Sequence, residues 1–326
     1  MPLTDRFGRA HTYLRVSVTD RCNFRCVYCM PAEGFALGPR EDLLSYEELE
    51  NIVGVFAELG IQRVRLTGGE PTLRRDIVEL VGRLSALPGI EQVALTTNAL
   101  KLGKLAAPLA DAGLSRVNVS LDTLDPDRFS KLTRGARLAP VLAGIDAAVS
   151  AGLAPVKVNA VVLRGENDDE VEDLVRWAAG FGGALVLRFI EYMPFEARWH
   201  HTLPAAELRE RLARTWELEP LGLDGLGGPA DRWRVPELGI TVGFISPLSE
   251  KFCGSCNRLR LMSDGTLRTC LSDDKTPSLR DLARAGASRD ELAVAIRDMV
   301  MGKREGHGCK VEGGTAFEGV MTRVGG

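Results

Sequence analysis

Long hydrophobic runs are missing from this chain of 326 residues, and none approaches the roughly 20 residues that span a bilayer. The opening segment, MPLTDRFGRAHTYLRVSVTD, has no apolar stretch followed by a small-residue cleavage site. We therefore expect neither a secretory nor a membrane-inserted protein. We expect the protein to be cytoplasmic, without a membrane partner.

An excess of charge of one sign is also missing. The chain has 41 Lys and Arg residues against 44 Asp and Glu residues, for a net charge of −3. This balance argues against bulk binding of nucleic acid, although it leaves a local cationic pocket possible. The four histidines show no metal-binding pattern, and the adjacent His200 and His201 predict a solvated loop.

Cysteine is present in an informative pattern, because six of the seven cysteines fall into two separate triplets. In a reducing compartment cysteines persist as thiols or metal ligands, which disfavours a disulfide framework. Three thiolates are one ligand short of a tetrahedral zinc site or a fully ligated iron–sulfur cluster. Each triplet therefore predicts a metal centre with an open position for a substrate or cofactor. The triplets are Cys22, Cys26 and Cys29, and Cys253, Cys256 and Cys270.

Each triplet has an alternative interpretation. The first could be a zinc knuckle or a set of buried thiols, but it directly follows a predicted strand, contains Tyr28, and precedes a Gly-Gly-Glu-Pro loop at 68–71. The second could be a structural zinc site completed by His307 or Cys309, and spacing alone leaves this open. Otherwise Cys309 is expected to be an unattached thiol.

The first two thirds of the chain alternate between strand and helix patterns. Regular βα repetition predicts a parallel sheet with right-handed crossovers, either closed as a barrel or open. Polar residues follow most of the predicted strands, which favours a binding site at their carboxyl ends. The predicted strands are 13–18, 64–69, 93–98, 117–122, 156–162 and 185–193, and the predicted helices are 45–59, 75–87, 101–112, 139–151 and 168–179.

The pattern changes after about residue 215, where short strands, a predicted turn at Asp264-Gly265 and two helices surround the second triplet. We therefore expect two domains, residues 1–215 with the first metal centre and residues 216–326 with the second.

Several cationic residues occupy alternate positions on predicted strands that otherwise read as apolar. Since residues two apart point to one side of a strand, these cations could line a shared interior. Guanidinium groups bind phosphate through two parallel hydrogen bonds, so a triphosphate would suit such an interior. A solvated surface position is the alternative for any one of them. The residues are Arg15, Arg65, Lys157, Arg258 and Arg260.

Together these motifs resemble the GTP 3',8-cyclase family of radical S-adenosylmethionine (SAM) enzymes. The resemblance runs from Arg15 to Gly326 and rests on CNFRCVYCMP, LTGGEPTLR, LTTNA, NVSLD, FIEYMPF, FCGSCNRLRL with Cys270, and the final Gly-Gly. It implies an α/β fold, an incomplete (βα)6 barrel with a C-terminal iron–sulfur elaboration. It also implies a lyase that converts GTP to 3',8-cyclo-7,8-dihydro-GTP by a 5'-deoxyadenosyl radical, the first step of molybdenum cofactor (molybdopterin) biosynthesis.

The resemblance further implies SAM and two [4Fe-4S] clusters as cofactors. The first triplet would hold the SAM cluster, and the open iron of the second would bind the purine of GTP. SAM would contact Tyr28, Gly69, Ser120 and Met193. The GTP contacts implied are Arg15, Arg65, Thr96, Lys157, Arg258 and Arg260, and the catalytic residues implied are Arg15, Gly325 and Gly326. The chain departs from the family pattern at Ala99, the last residue of LTTNA, where the family often has glycine.

Partners implied by the resemblance are an electron donor such as flavodoxin or ferredoxin, the downstream cyclic pyranopterin monophosphate synthase, and a second copy of the chain in a homodimer. Two rival classes stay open at this point. One is a radical SAM enzyme that matures peptides or sulfatases, which would carry more auxiliary cysteines and no reason for Arg258-x-Arg260. The other is a non-enzymatic iron–sulfur scaffold or zinc-binding module, which would not need polar strand ends.

Overall fold

The computed structural model describes residues 2–193, 202–223, 228–272 and 277–307. Strands and helices alternate through the first part, so the six predicted strands and five predicted helices are confirmed. A further helix, α4, was not predicted. The strands are β1 Tyr13–Ser17, β2 Arg63–Thr67, β3 Gln92–Thr97, β4 Leu114–Ser120, β5 Val156–Val162 and β6 Leu185–Glu191. The helices are α1 Tyr46–Glu58, α2 Ile77–Ser85, α3 Leu102–Asp111, α4 Pro126–Thr133, α5 Ala139–Ser150 and α6 Val171–Ala179.

The rest of the described chain adds five strands and three helices. Within the described ranges, no helix is long and apolar enough to cross a membrane. The strands are β7 Glu219–Leu223, β8 Asp231–Val235, β9 Ile240–Ile245, β10 Arg258–Leu261 and β11 Leu267–Arg268, and the helices are α7 Ala205–Leu212, α8 Leu279–Arg284 and α9 Arg289–Met301.

All these strands form one mixed sheet, in the order β11-β10-β1-β2-β3-β4-β5-β6-β9-β8-β7. Neighbours from β10 through β9 are parallel, and antiparallel pairs occur only towards the two edges. The described sheet does not close, which confirms the predicted α/β fold with an incomplete barrel. Strands β10 and β9 extend the barrel at both sides, so the sheet is continuous across residue 215. The two-domain division stays a prediction.

The two faces of the sheet differ in polarity. Leu14, Val16, Val64 and Leu66 are fully buried in the core that the sheet shares with its helices. The residues between them on β1 and β2 are mostly polar and face the other side, called here the inner face. Strand alternation thus gives one apolar face for folding and one polar face for chemistry.

Local signals in the sequence explain where helices begin. Ser45 accepts a hydrogen bond from the Glu48 amide, and the Glu48 side chain accepts one from the Ser45 amide, so the two residues form a capping box at the start of α1. A second capping box, formed by Ser288 and Glu291, starts α9. Both boxes satisfy amide groups that a helix cannot pair internally.

We predict that Leu66→Ala lowers the free energy of unfolding by about 2 to 5 kcal/mol, because it leaves a cavity at a fully buried position in the sheet. Urea unfolding of the metal-free protein measures the change. Val294→Ala on α9 is the control, since 60% of that residue is exposed and we expect a change within about 0.5 kcal/mol. Equal unfolding midpoints for the two variants would contradict the assignment of Leu66 to the core.

Candidate active site

Strand register aligns three arginines across the inner face. Arg15 on β1 pairs with Arg260 on β10 and with Arg65 on β2. These three residues are called here the arginine row. Burial and the neighbouring charge of Arg260 hold the pKa of Arg15 well below its usual range. Burial and Arg258 lower the pKa of Arg260 to about 10. Such mutual repulsion in a buried site is relieved by a bound polyanion.

Tyr13 lies two residues before Arg15 on β1 and contacts the arginine row. Its hydroxyl accepts a hydrogen bond from Arg65 Nε, and the Arg63 and Arg65 guanidinium carbons lie 5.6 and 5.8 Å from its ring centroid. Burial raises the pKa of Tyr13, but the charges of Arg65 and Arg15 outweigh it and the net shift is downward. Sequence reasoning missed this residue, although it lies two positions from Arg15.

A second polar row crosses the next strands nearer their carboxyl ends, because Arg65 pairs with Ala94, two residues before Thr96. Thr96 on β3 pairs with Asn118 on β4, which pairs with Lys157 on β5. Thr96 Oγ1 and Asn118 Oδ1 are buried and have no hydrogen-bond partner among the described residues. Because buried polar atoms are nearly always satisfied, these two atoms indicate a ligand at this position.

Arg188 was also missed by sequence reasoning. It lies on the inner face of β6, is only 7% exposed, and donates from Nε to Asn159 Oδ1 at 2.9 Å. The signal was available, because Arg188 is a lone arginine in the otherwise apolar run LVLRFI.

The first cysteine loop, residues 18–30, follows β1 and lies against the loop that follows β2. The Gly69 amide donates to Thr19 O at 2.8 Å, and the Glu70 amide donates to Arg21 O at 2.7 Å. A Cβ added to Gly69 would lie 2.3 Å from Arg21 O, and one added to Gly68 would lie 2.4 Å from Thr19 O. Only glycine permits this approach, which explains the Gly-Gly pair beside the cysteines.

Glu70 joins the ends of β2 and β3 beneath this loop. It is buried, and its carboxylate accepts hydrogen bonds from Thr97 Oγ1 and the Asn98 amide, both at 2.7 Å. Burial raises its pKa. Asn98 in turn donates from Nδ2 to Asn23 Oδ1 at 2.8 Å, inside the cysteine loop. The carboxyl ends of two strands and the loop therefore form one hydrogen-bonded unit.

The other side of the loop is held by α4 and β4. Arg134, just after α4, donates from Nη1 to Arg25 O and to Met30 O, each at 2.8 Å. The Tyr28 hydroxyl donates to Asp122 Oδ2 at 2.6 Å. Burial raises the pKa of Asp122 to about 6, even though the hydrogen bonds from Tyr28 and from the Val161 amide favour its charged form.

The three thiols of this loop are close enough to influence one another. Burial, with the charges of Asp122, Cys29 and Cys22, raises the pKa of Cys26, and burial raises that of Cys22 to about 11. Three adjacent thiolates are thus costly without compensating positive charge. A thiolate-ligated iron–sulfur cluster supplies that charge, so the donor set fits one.

The second cysteine set surrounds the β10–β11 hairpin. Arg260 pairs with Arg268 across the hairpin, and the turn between them contains Gly265 with a φ of +83°. Cys256, two residues before β10, and Cys270, two residues after β11, therefore lie at the same end. The Cys256 amide donates to Cys253 O at 3.1 Å, which completes the set.

Positive charge surrounds the sulfur of Cys256. Arg258 Nη2 lies 3.7 Å from it. Burial raises the pKa of Cys256, but the charges of Arg258 and Lys303 outweigh it and bring the pKa down to about 7. A thiolate is therefore accessible near neutral pH, and this set also fits an iron–sulfur cluster. No group of three or more His, Cys, Asp or Glu side chains in the described ranges is arranged to hold a single metal ion.

The two cysteine sets lie at opposite ends of the inner face, which the sequence did not predict. Arg258 at the start of β10 is level with Tyr13, whereas the first loop begins after Ser17 at the far end of β1. Four residues of strand rise about 13 Å. A ligand held on the arginine row would therefore lie between the two sets.

The remaining predicted residues follow the same geometry where they are described. Gly69, Ser120 and Met193 lie at or just beyond the carboxyl ends of β2, β4 and β6, on the side of the first cysteine loop. Residues predicted from the sequence but outside the described ranges are His200, His201, Cys309, Gly325 and Gly326.

Two family profiles match the chain and cover nearly all of the described residues. Residues 16–178 match the Radical SAM superfamily, and residues 185–309 match Molybdenum Cofactor Synthesis C. The junction between them falls immediately before β6.

Full-length relatives are more specific. The chain is 49% identical over 313 residues to the GTP 3',8-cyclase of Rhodopseudomonas palustris, covering 94% of this chain and 90% of the relative. It is 45% identical over 327 residues to the GTP 3',8-cyclase of Moorella thermoacetica, covering 99% of this chain and 100% of the relative. Molybdenum cofactor biosynthesis protein 1 of Drosophila melanogaster is 46% identical over 94% of this chain, which spans 54% of that relative.

Solved structures support the fold. Streptococcus suis SuiB bound to S-adenosylmethionine superposes with a TM-score of 0.58 at 18% identity, over 84% of this chain and 65% of that chain. Another SuiB structure gives a TM-score of 0.61 at 16% identity, over 90% of this chain and 68% of that chain. At this level of identity, the likeness concerns the fold alone.

Gly69→Ala is expected to disrupt the first cysteine loop, because its Cβ would overlap the carbonyl of Arg21. After anaerobic reconstitution, iron should fall from about eight to about four per chain, with loss of one cluster of four. Gly103→Ala on α3 is the matched control, since a Cβ there meets nothing within 4 Å. Full iron content in Gly69→Ala would show that the close approach is not required.

Proposed function

The chain belongs to the GTP 3',8-cyclase family of the radical SAM superfamily, and we propose that its arginine row binds the triphosphate of GTP between two iron–sulfur centres. It is a radical SAM lyase of molybdenum cofactor biosynthesis that converts GTP to 3',8-cyclo-7,8-dihydro-GTP. Its cofactors are SAM and two [4Fe-4S] clusters.

The observation that carries the proposal is the register that aligns Arg260, Arg15 and Arg65 on one face. Guanidinium groups form two parallel hydrogen bonds with phosphate, and a triphosphate offsets the repulsion within the row. The buried Thr96 hydroxyl supports a further contact from the same side. The GTP-binding residues that we propose are Arg15, Arg65, Thr96, Lys157, Arg258 and Arg260.

We assign the second cysteine set, Cys253, Cys256 and Cys270, to the cluster whose open iron binds guanine. Arg258 supports this assignment, because it belongs to the cationic region and also contacts the sulfur of Cys256. Substrate anchored through its base at one cluster and its phosphates on the row has little freedom to move. Such positioning is worth several kcal/mol, on the order of 7 in favourable intramolecular reactions.

We assign the first set, Cys22, Cys26 and Cys29, to the SAM cluster. SAM would contact Tyr28, Gly69, Ser120 and Met193. This agrees with their location at the carboxyl ends of the strands, in or beside the first cysteine loop. Bound there, SAM and the cluster supply the 5'-deoxyadenosyl radical that removes hydrogen from the ribose. The chain's own contribution is to hold C3' of GTP within reach of that radical and to keep water out.

A catalytic role is proposed for Arg15, at the centre of the row. From there its guanidinium would donate a hydrogen bond or a proton towards the guanine base as the ring is reduced. A catalytic role for Gly325 and Gly326 stays a prediction from the family resemblance, because both lie outside the described residues.

The finer biological setting is also part of the proposal. We propose a cytoplasmic enzyme of two domains, 1–215 and 216–326, reduced by a donor such as flavodoxin or ferredoxin and followed by cyclic pyranopterin monophosphate synthase. No disulfide joins the six cysteines of the described ranges, which is consistent with a reducing compartment. Exposed Leu221 and Leu223 on the edge strand β7 are consistent with a homodimer.

Cysteine substitutions separate the two centres. Cys22→Ala should abolish SAM cleavage, whereas Cys256→Ala should retain some cleavage and lose GTP conversion, because only the second centre is assigned to the purine. Anaerobic reactions with GTP, SAM and reductant, followed by mass analysis, give product formed per deoxyadenosine released. Normal GTP conversion by Cys256→Ala would contradict the substrate role of the second centre.

Arg260→Ala tests the phosphate contact. Loss of one charge-assisted hydrogen-bonding group should weaken GTP binding by about 1.5 to 3 kcal/mol and leave SAM binding nearly unchanged. Calorimetric titration with each ligand measures both effects. Arg75→Ala is the control, since the Arg75 side chain is 94% exposed. Equal weakening of both ligands in Arg260→Ala would instead indicate general disruption of the fold.

A further inference from the structure

Lys303, in the segment after α9, is an unusual lysine because only 2% of it is exposed. Its ammonium Nζ donates to Arg258 O at 2.7 Å and lies 3.8 Å from the sulfur of Cys256. Burial of an ammonium group costs several kcal/mol unless its donors are paired, and lysine is rarely buried. The two contacts therefore account for a position that would otherwise be unfavourable.

The segment that carries Lys303 is fastened to the same cysteine loop. Arg9 Nη1 donates to Cys253 O at 2.9 Å and to Glu305 O at 2.8 Å, while its Nη2 donates to Arg304 O at 2.7 Å. Arg9 is itself held by an ion pair to the fully buried side chain of Asp5 at 2.6 Å. Lys303 therefore has little freedom to leave the sulfur.

Charge around Lys303 has both signs. Arg9 and Arg258 supply positive charge, and the sulfurs of Cys256 and Cys270 supply negative charge when they are ionised. The ammonium is thus best stabilised when the sulfurs are negative, as they are when they ligate iron.

We propose that Lys303 is a positioning residue of the second cluster, which donates an N–H···S hydrogen bond to Cys256 and fixes the start of β10 through Arg258 O. The inference rests on the proposed assignment of Cys253, Cys256 and Cys270 as cluster ligands. Positive charge and hydrogen bonds at a ligating sulfur favour the reduced cluster, which carries more negative charge. Lys303 therefore raises the reduction potential of the second cluster without touching the first.

Redox titration followed by electron paramagnetic resonance tests this in reconstituted protein with both clusters. Lys303→Met and Lys303→Gln should shift the midpoint potential of the second cluster to more negative values, with the first cluster unchanged. Lys303→Arg, which keeps the charge, should stay nearer to wild type. Lys251→Met is the matched control, because it removes an exposed lysine from the loop that carries Cys253 and Cys256. Its potentials should match those of the wild type.

Iron and sulfide content of every variant identifies the reason for a negative result. An unchanged second potential in Lys303→Gln that retains both clusters would overturn the role of Lys303 alone. Loss of the second cluster from all three Lys303 variants would also overturn it, because the lysine would then act only in assembly. Wild-type protein that holds a single cluster would instead overturn the cysteine assignment and this inference together.

Discussion

Repulsion among three arginines, one buried and two half-buried, is the constraint on which the rest of this structure depends. Three guanidinium groups share one row of a parallel sheet, where burial strengthens every electrostatic interaction. Burial of apolar side chains on the second face of the sheet offsets the free-energy cost of this repulsion. Fully buried residues such as Val16 and Leu66 supply that face, so folding energy and binding chemistry are divided between the two sides of the same strands.

The two ends of this sheet also differ in their electrostatic character. The end that follows β1 is formed from hydrogen-bonded loops built around Glu70 and the Gly-Gly pair, and it raises thiol pKa values. The end that precedes β10 is formed from guanidinium and ammonium groups, and it lowers the pKa of Cys256. One sheet thus offers two sulfur-rich environments of different electrostatic character, with the substrate region between them.

Much of the fold was predictable because local signals agree with tertiary structure. The strands alternate as the sequence pattern indicates, and the capping box of Ser45 and Glu48 marks the start of α1. The pairing of β10 with β1 was not predictable, since nothing local specifies a partner so distant along the chain. Arg15, Arg65 and Arg260 could be found because each occupies an alternate position on a predicted strand that otherwise reads as apolar. Lys303 could not, because an isolated lysine in a polar segment reads as solvated.

The parallel pairing of β10 with β1 has a consequence for biosynthesis. β10 follows its partner by about 245 residues, so at ribosomal rates of 5–20 residues per second the growing chain waits roughly 10 to 50 s before that pair forms. During this interval one backbone edge of β1 has no strand to pair with, and exposed strand edges promote aggregation. The first cysteine loop can meanwhile be completed by β2, β3 and α4, which are already made. The ligands of the first centre and the elements that hold their loop are therefore all synthesised before any ligand of the second centre.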